Sequence, residues 1–210
     1  MSKEVTFVCL GDSLTAGNPG FSGYGTWTGN PESQFSYWCQ KYAHSDFPNL
    51  TANFENYGVG GDIVKQMLER YQRDVLSQLD HVDYVMVMGG NNDVVWRPTT
   101  PSECLRDLQE LFTTILNHGS KVIALEILPV TCDMKLVKKI KETNKGMHKL
   151  CTQMKIPIID LYDALADKTK NGLNKPYDSK DGEHLSVEGY RKVGEVIYTS
   201  YLKSLLSNFQ

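Results

Sequence analysis

Five short apolar runs, each broken by a turn of glycine, asparagine, aspartate or proline, constrain this chain more than any other feature. They span Val5–Leu10, Thr51–Val59, Tyr84–Met88, Lys121–Leu128 and Ile156–Asp160. As a set they read apolar rather than alternating, which is the pattern of strands buried on both faces. The segments between them carry apolar residues at helical spacing. Ser33–Ser45 has Phe35, Trp38, Cys39 and Tyr42 on one stripe. A second helix, with Asp62 as its N-cap, is expected to run to about Leu79 with Ile63, Met67, Leu68 and Val75 inward. Ser102–Asn117 repeats the pattern and is closed by Gly119. A lysine-rich helix over Met134–Gln153 and a last one, capped by Ser186 and reaching about Leu206, complete the set. Strands alternating with helices predict an α/β fold with a parallel sheet covered on both sides. No repeat, low-complexity segment or shift in composition divides the 210 residues, so one domain over 1–210 is expected.

The charge balance narrows the partners. Lys plus Arg is 22 against 25 for Asp plus Glu, a net charge of −3. That gives no electrostatic reason to expect a nucleic acid or an anionic membrane surface. No apolar run approaches a membrane span. The opening MSKEVTFVCLGDS lacks the build of a signal peptide, and Cys9, Cys39, Cys104, Cys132 and Cys151 are odd in number and free of CxxC spacing. A reducing, cytoplasmic setting without disulfides or zinc is expected. Oligomeric state is not fixed by the sequence, and a homo-oligomer is open.

In an open parallel sheet ligands bind beyond the C-terminal strand ends. Three successive ends here break into Gly11-Asp12-Ser13, Gly60-Gly61-Asp62 and Gly90-Asn91-Asn92-Asp93. Ser13 is placed as a nucleophile, although alone it reads more readily as an N-cap. Gly61 offers a backbone N–H without a Cβ, Asn92 its side-chain amide, and Ser13 its own N–H, the donor set that an oxyanion needs. A serine needs a base. His44, His81, His118 and His148 lie in or beside helices, whereas His184 follows Asp181 by three residues in a turn before the last helix. Ser13, His184 and Asp181 are therefore the candidate triad.

These motifs resemble the SGNH hydrolases, also called the GDSL esterase/lipase family. GDSLTAG (11–17), NYGVGGD (56–62), GNND (90–93) and DGEH (181–184) match that family's four blocks in order and over nearly the whole chain. The resemblance implies a flavodoxin-like three-layer α/β/α sandwich on a sheet of about five parallel strands. It implies Ser13 as nucleophile, His184 as base and then acid, Asp181 as its partner, and Ser13, Gly61 and Asn92 as the oxyanion hole. Gly61 is preferred to Gly60 because it directly precedes Asp62. Asn92 is preferred to Asn91 by the Gly-x-Asn-Asp pattern. Asp12 and Asp93 read as loop braces.

The expected activity is hydrolysis of small-molecule carboxylic esters, with thioesters open to the same chemistry, through an acyl-enzyme and without a cofactor. Acyl transfer to an alcohol would use identical machinery. A metal-dependent phosphoesterase is a rival, because Asp12, Asn92, Asp93, Asp181 and His184 are all plausible ligands. A non-catalytic binding module is another. Tyr24, Trp27, Val94, Trp96, Leu128, Pro129 and Leu185 flank the motifs and are the candidate pocket residues. The aromatic, glycine-rich loop at 18–31 is expected either to wall the pocket or to pack on the body.

Overall fold

The computed structural model describes residues 4–17 and 29–209. Five parallel strands form one sheet: β1 (Glu4–Gly11), β2 (Thr51–Gly58), β3 (Tyr84–Met88), β4 (Lys121–Leu125) and β5 (Ile158–Ile159). Their order is β2-β1-β3-β4-β5. Chain direction across the sheet therefore reverses between β1 and β3, the switch point where α/β sheets open a crevice.

The apolar runs are explained by what lies on each face. Val5, Phe7 and Cys9 of β1, with Tyr84, Met86 and Met88 of β3, belong to one buried cluster. Val8 and Leu10, with Val85 and Val87, belong to the other. Successive side chains of a strand point to opposite faces, so a sheet with two cores needs apolar residues at every position. Helices α2 (Phe35–Asp46), α7 (Tyr162–Leu165), α8 (Val187–Ile197) and α9 (Lys203–Ser207) contribute to the first face. The second is covered by α3 (Val64–Arg70), α5 (Pro101–Asn117) and α6 (Met134–Met154).

Register sets the level of the three turns. Gly11 pairs with Gly58 on one side and with Met88 on the other, so β1, β2 and β3 end in one row. From that row rise the one-turn helix α1 (Ser13–Ala16), the turn 59–62, and α4 (Asn91–Val95). Gly58 is required for this. A Cβ there would lie 2.1 Å from the Ala16 nitrogen and 2.6 Å from its Cα, so only glycine lets α1 settle on the end of β2.

Three expectations need correction. Strand β4 stops at Leu125 rather than Leu128, and β5 is Ile158–Ile159 rather than Ile156–Asp160. Beyond Leu125 the backbone finds other partners, since the Asn144 side chain receives the Ile127 N–H and donates to its carbonyl, both at 2.9 Å. Pro157 cannot donate to a ladder, which shortens β5 at its start. The helix after β2 is capped by Ile63, not Asp62, with Gln66 Oε1 receiving the Ile63 N–H at 3.1 Å. It is regular only to Arg70, then widens into a π-helical segment, Tyr71–Leu76. Asp62 is absent from the cap because its carboxylate is bound to Arg70.

Candidate active site

Ser13 opens α1 immediately beyond β1. The N-cap role falls to Asp12, whose Oδ1 accepts the Leu14 N–H at 2.9 Å. That leaves the Ser13 hydroxyl available, and its Oγ lies 2.9 Å from His184 Nε2. The other ring nitrogen, His184 Nδ1, lies 2.8 Å from Asp181 Oδ2. These contacts join residues 171 positions apart in sequence with a carboxylate three residues from the imidazole.

The turn 178–184 is shaped for this. Asp178 Oδ1 accepts the N–H of Lys180 and of Gly182, and the Ser179 N–H donates to the His184 carbonyl. Asp181 Oδ1 accepts the N–H groups of Glu183 at 3.0 Å and His184 at 2.8 Å, which leaves Oδ2 for the ring. Partial burial opposes ionisation of Asp181, but these two N–H groups and the imidazole outweigh it and hold the carboxyl below its ordinary value. It is therefore an anion at neutral pH. A histidine fixed by a carboxylate at one nitrogen and facing a hydroxyl at the other is arranged to take a proton from that hydroxyl.

The donor side is built by the other two turns. Val59 accepts from the Asp62 N–H at 3.2 Å, closing a four-residue turn with Gly60 and Gly61 at its centre. Gly61 has φ of +84°, the left-handed value at the third position of a type II turn, and this is why a glycine stands there. Asn92 lies in the first turn of α4, and its Nδ2 donates to the Asp62 carbonyl at 2.9 Å. A side-chain amide carries two hydrogens, so one remains after that bond. Asp93 braces the same region, its Oδ2 accepting the Val64 N–H at 3.1 Å.

One residue that sequence reasoning missed ties these turns together. Arg70 is buried on α3, and its guanidinium donates to Asp62 Oδ2 at 2.5 Å, to the Gly11 carbonyl at 2.9 Å and to the Tyr57 carbonyl at 2.8 Å. Burial raises the Asp62 pKa while Arg70 pulls against it. Asn56 was passed over likewise. Its Nδ2 donates to the Thr15 carbonyl at 2.8 Å and holds α1 down. Position in the NYGVGGD block was a signal for Asn56; Arg70 reads in sequence as one more polar helical residue. Asp12 is also unusual. Burial drives its pKa up to about 7 against the Leu14 N–H, with the charges of Glu183, Asp62 and Asp93 adding to the rise.

The candidate pocket residues divide sharply. Tyr24 and Trp27, with most of the loop at 18–31, lie outside the described residues. Val94, Leu128 and Leu185 are fully buried in the two cores and Pro129 is buried beside them. Their side chains take part in core packing. Trp96 is 67% exposed, and its Nε1 donates to Glu183 Oε1 at 2.9 Å.

Asp12 and Asp93 each brace a backbone N–H through one carboxylate oxygen, and both His184 nitrogens lie within hydrogen-bond distance of partners. Among the described residues, the histidine and carboxylates close enough to share an ion are Glu126, His148 and Asp160, beyond the ends of β4 and β5 rather than beside Ser13. The cysteines are free. Cys9, Cys39, Cys104 and Cys151 are buried, and burial pushes their thiols up in pKa, so they pack as small apolar groups. Among the described residues no helix is long and apolar enough to cross a membrane.

The family model for the GDSL-like lipase/acylhydrolase family matches residues 9–192, a span that contains all four motifs. The chain belongs to that family. It is accordingly a hydrolase acting on esters. Solved structures share the fold at low identity. A lipase/acylhydrolase from Enterococcus faecalis is 24% identical with a TM-score of 0.75, over 95% of this chain and 96% of that one. An acetyl xylan esterase from Geobacillus stearothermophilus is 19% identical with a TM-score of 0.74, over 94% and 93%. A GDSL-like lipase from Bacteroides thetaiotaomicron is 22% identical with a TM-score of 0.67, over 97% and 89%. No curated protein matches the chain in sequence. Membership of the family fits the sandwich architecture and the four motif-bearing turns described above.

Proposed function

We propose that this GDSL-family hydrolase cleaves small carboxylic esters through an acyl-enzyme on Ser13. His184 Nε2 takes the hydroxyl proton as Ser13 Oγ attacks the ester carbonyl. The tetrahedral oxyanion is received by the N–H groups of Ser13 and Gly61 and by the free hydrogen of Asn92 Nδ2. The C–O bond to the alcohol then breaks, and the proton held on His184 passes to the departing oxygen. Water repeats the sequence in reverse sense: His184 deprotonates it, it attacks the acyl carbonyl, and Ser13 leaves with its proton restored. Asp181 stabilises the imidazolium in both halves. No metal or cofactor is called on, and residues 1–210 are read as one catalytic domain. The free cysteines fit a reducing compartment.

The observation that carries this reading is the pair of contacts on His184, 2.9 Å to Ser13 and 2.8 Å to Asp181. It is tested by hydrolysis of p-nitrophenyl acetate and octanoate by the wild type and by Ser13→Ala. Turnover lost with Ser13, and blocked by a fluorophosphonate in the wild type, supports it. Turnover that survives Ser13→Ala and dies with a chelator would move the reaction to metal chemistry. Thioester cleavage is read with an acyl thiol substrate, and acyl transfer by competition from an added alcohol.

A further inference from the structure

Glu126, His148 and Asp160 have no part in the ester chemistry proposed above, yet they converge on one point. Glu126 directly follows β4, Asp160 directly follows β5, and His148 projects from α6. Their donor atoms all lie within 4.8 Å of one another. His148 Nε2 is 2.8 Å from Glu126 Oε1 and 3.2 Å from Asp160 Oδ1. The cluster thus stands beyond the C-terminal ends of two strands, on the edge where parallel α/β sheets take ligands. Ser13 and Asn92 stand on the same edge over β1 and β3.

Hydrogen bonding alone serves this arrangement poorly. A ring nitrogen carries at most one hydrogen, and here it faces two carboxylate oxygens. The two carboxylates also repel each other across that nitrogen. A divalent cation at the same point satisfies all three groups. It takes the lone pair of a neutral imidazole and is balanced by the two negative charges. Around tetrahedral zinc, with bonds of about 2.0 Å, donor atoms lie about 3.3 Å apart. The separations of 2.8 and 3.2 Å at His148 need only small adjustment to reach that value, and Asp160, with a side chain 74% exposed, has room to move.

The site is also built from behind. Glu126 is buried, and its Oε2 accepts the N–H groups of Leu161 at 3.0 Å and Tyr162 at 2.9 Å at the start of α7. Those bonds fix the carboxylate and leave Oε1 for His148, as outer-shell partners orient the ligands of a metal. A cavity of about 390 Å³ is lined by all three residues, so a fourth coordination position is open to water. Lys141, Lys145 and Lys170 line it too; Lys170 is paired with Asp163 at 3.1 Å, and Lys141 donates to Asn171 Oδ1 at 3.3 Å. An imidazole with two carboxylates suits zinc, whereas calcium and magnesium take oxygen ligands. No cysteine takes part, which is why cysteine spacing gives no sign of the site.

We propose that Glu126 Oε1, His148 Nε2 and Asp160 Oδ1 form a zinc site separate from the Ser13 centre, in which the ion clamps the ends of β4 and β5 to α6. It does not depend on the esterase reading. The test titrates ZnCl2 into chelator-treated protein at pH 7.5 by calorimetry, for the wild type, His148→Ala, Asp160→Asn and His81→Ala. The wild type should take up one tightly held ion per chain. At a hundredfold excess over Kd, its melting temperature should rise by about 5–10 °C. His148→Ala and Asp160→Asn should each lose at least about tenfold in affinity and most of the thermal shift. Asp160 is exposed, so its variant keeps the test open if His148→Ala does not fold. His81→Ala removes another histidine–carboxylate pair, His81 with Asp83 at 2.9 Å, and should bind zinc as the wild type does. No uptake by the wild type would overturn the proposal and leave His148 sharing a proton with its two carboxylates. Affinity unchanged in Asp160→Asn or in a folded His148→Ala would overturn it as well, by placing the ion elsewhere.

Discussion

At the scale of the residue, the site depends on which hydrogen each polar group has left. Asn92 spends one amide hydrogen on the Asp62 carbonyl, and the proposed oxyanion hole uses the other. Asn92→Ala should therefore lower kcat by on the order of 10²–10³, the usual effect of removing one such donor, with KM little changed. Steady-state kinetics on p-nitrophenyl acetate check this, and a silent variant would remove Asn92 from the oxyanion hole. Asp12 supports a prediction about stability. Its native pKa is raised to about 7 by burial, above the ordinary 3.8 of an unfolded aspartate. Between those values the native state binds the extra proton, so stability falls as pH rises from about 4 through 7 and the loss is complete above. Asp12→Asn keeps an oxygen for the Leu14 N–H and cannot ionise. The melting temperature of the variant relative to wild type should climb between pH 4 and 8, read by scanning calorimetry. Parallel profiles would contradict the buried, titrating Asp12. That Ser13, Asp181 and His184 meet was legible because they stand in short motifs of residue types that belong together chemically. The pocket was not. Val94, Leu128 and Leu185 sit beside the motifs in sequence, but only the fold decides that they face the cores while Trp96 faces water.

At the scale of the element, the three motif-bearing turns are held level by register and by one cation. Arg70 binds the end of β1 through Gly11, the end of β2 through Tyr57, and the glycine turn through Asp62. Removing it leaves a buried carboxylate without its cation and takes one donor from each of two carbonyls. Arg70→Met should cost about 3–5 kcal/mol, the range for breaking a buried pair from one side. Urea denaturation at pH 7 measures it, and a loss below about 1 kcal/mol would mean that the guanidinium is not the tie. Sequence could not reveal this residue, because its burial arises only where two strand ends and a turn converge. Strand limits were hidden for a similar reason. The run Lys121–Leu128 is apolar to its end, but the ladder stops where β5 runs out and Asn144 takes the Ile127 backbone. Helix caps fared unevenly. Ser186 caps α8 as its spacing predicts, with its hydroxyl receiving the Gly189 N–H, whereas Asp62 was diverted from its cap by Arg70.

At the scale of the whole molecule, the sheet was readable because a strand buried on both faces must be apolar at every position. Alternation of such strands with amphipathic helices leaves few other architectures. The order β2-β1-β3-β4-β5 then puts the ends of β1 and β3 side by side at the switch point, and with them Ser13 and Asn92. His184 arrives from the far end of the chain on a turn that Asp178 and Asp181 shape with their own side chains. What matters most for the proposed mechanism is whether that assembly makes Ser13 Oγ the atom that carries the acyl group. The most direct measurement is rapid-quench mass spectrometry of the enzyme mixed with p-nitrophenyl acetate. A burst of p-nitrophenol is expected together with one acetyl group, mapped to the peptide containing Ser13 and absent from Ser13→Ala. Turnover with no acetyl group on the protein, or with the group on another residue, would contradict it.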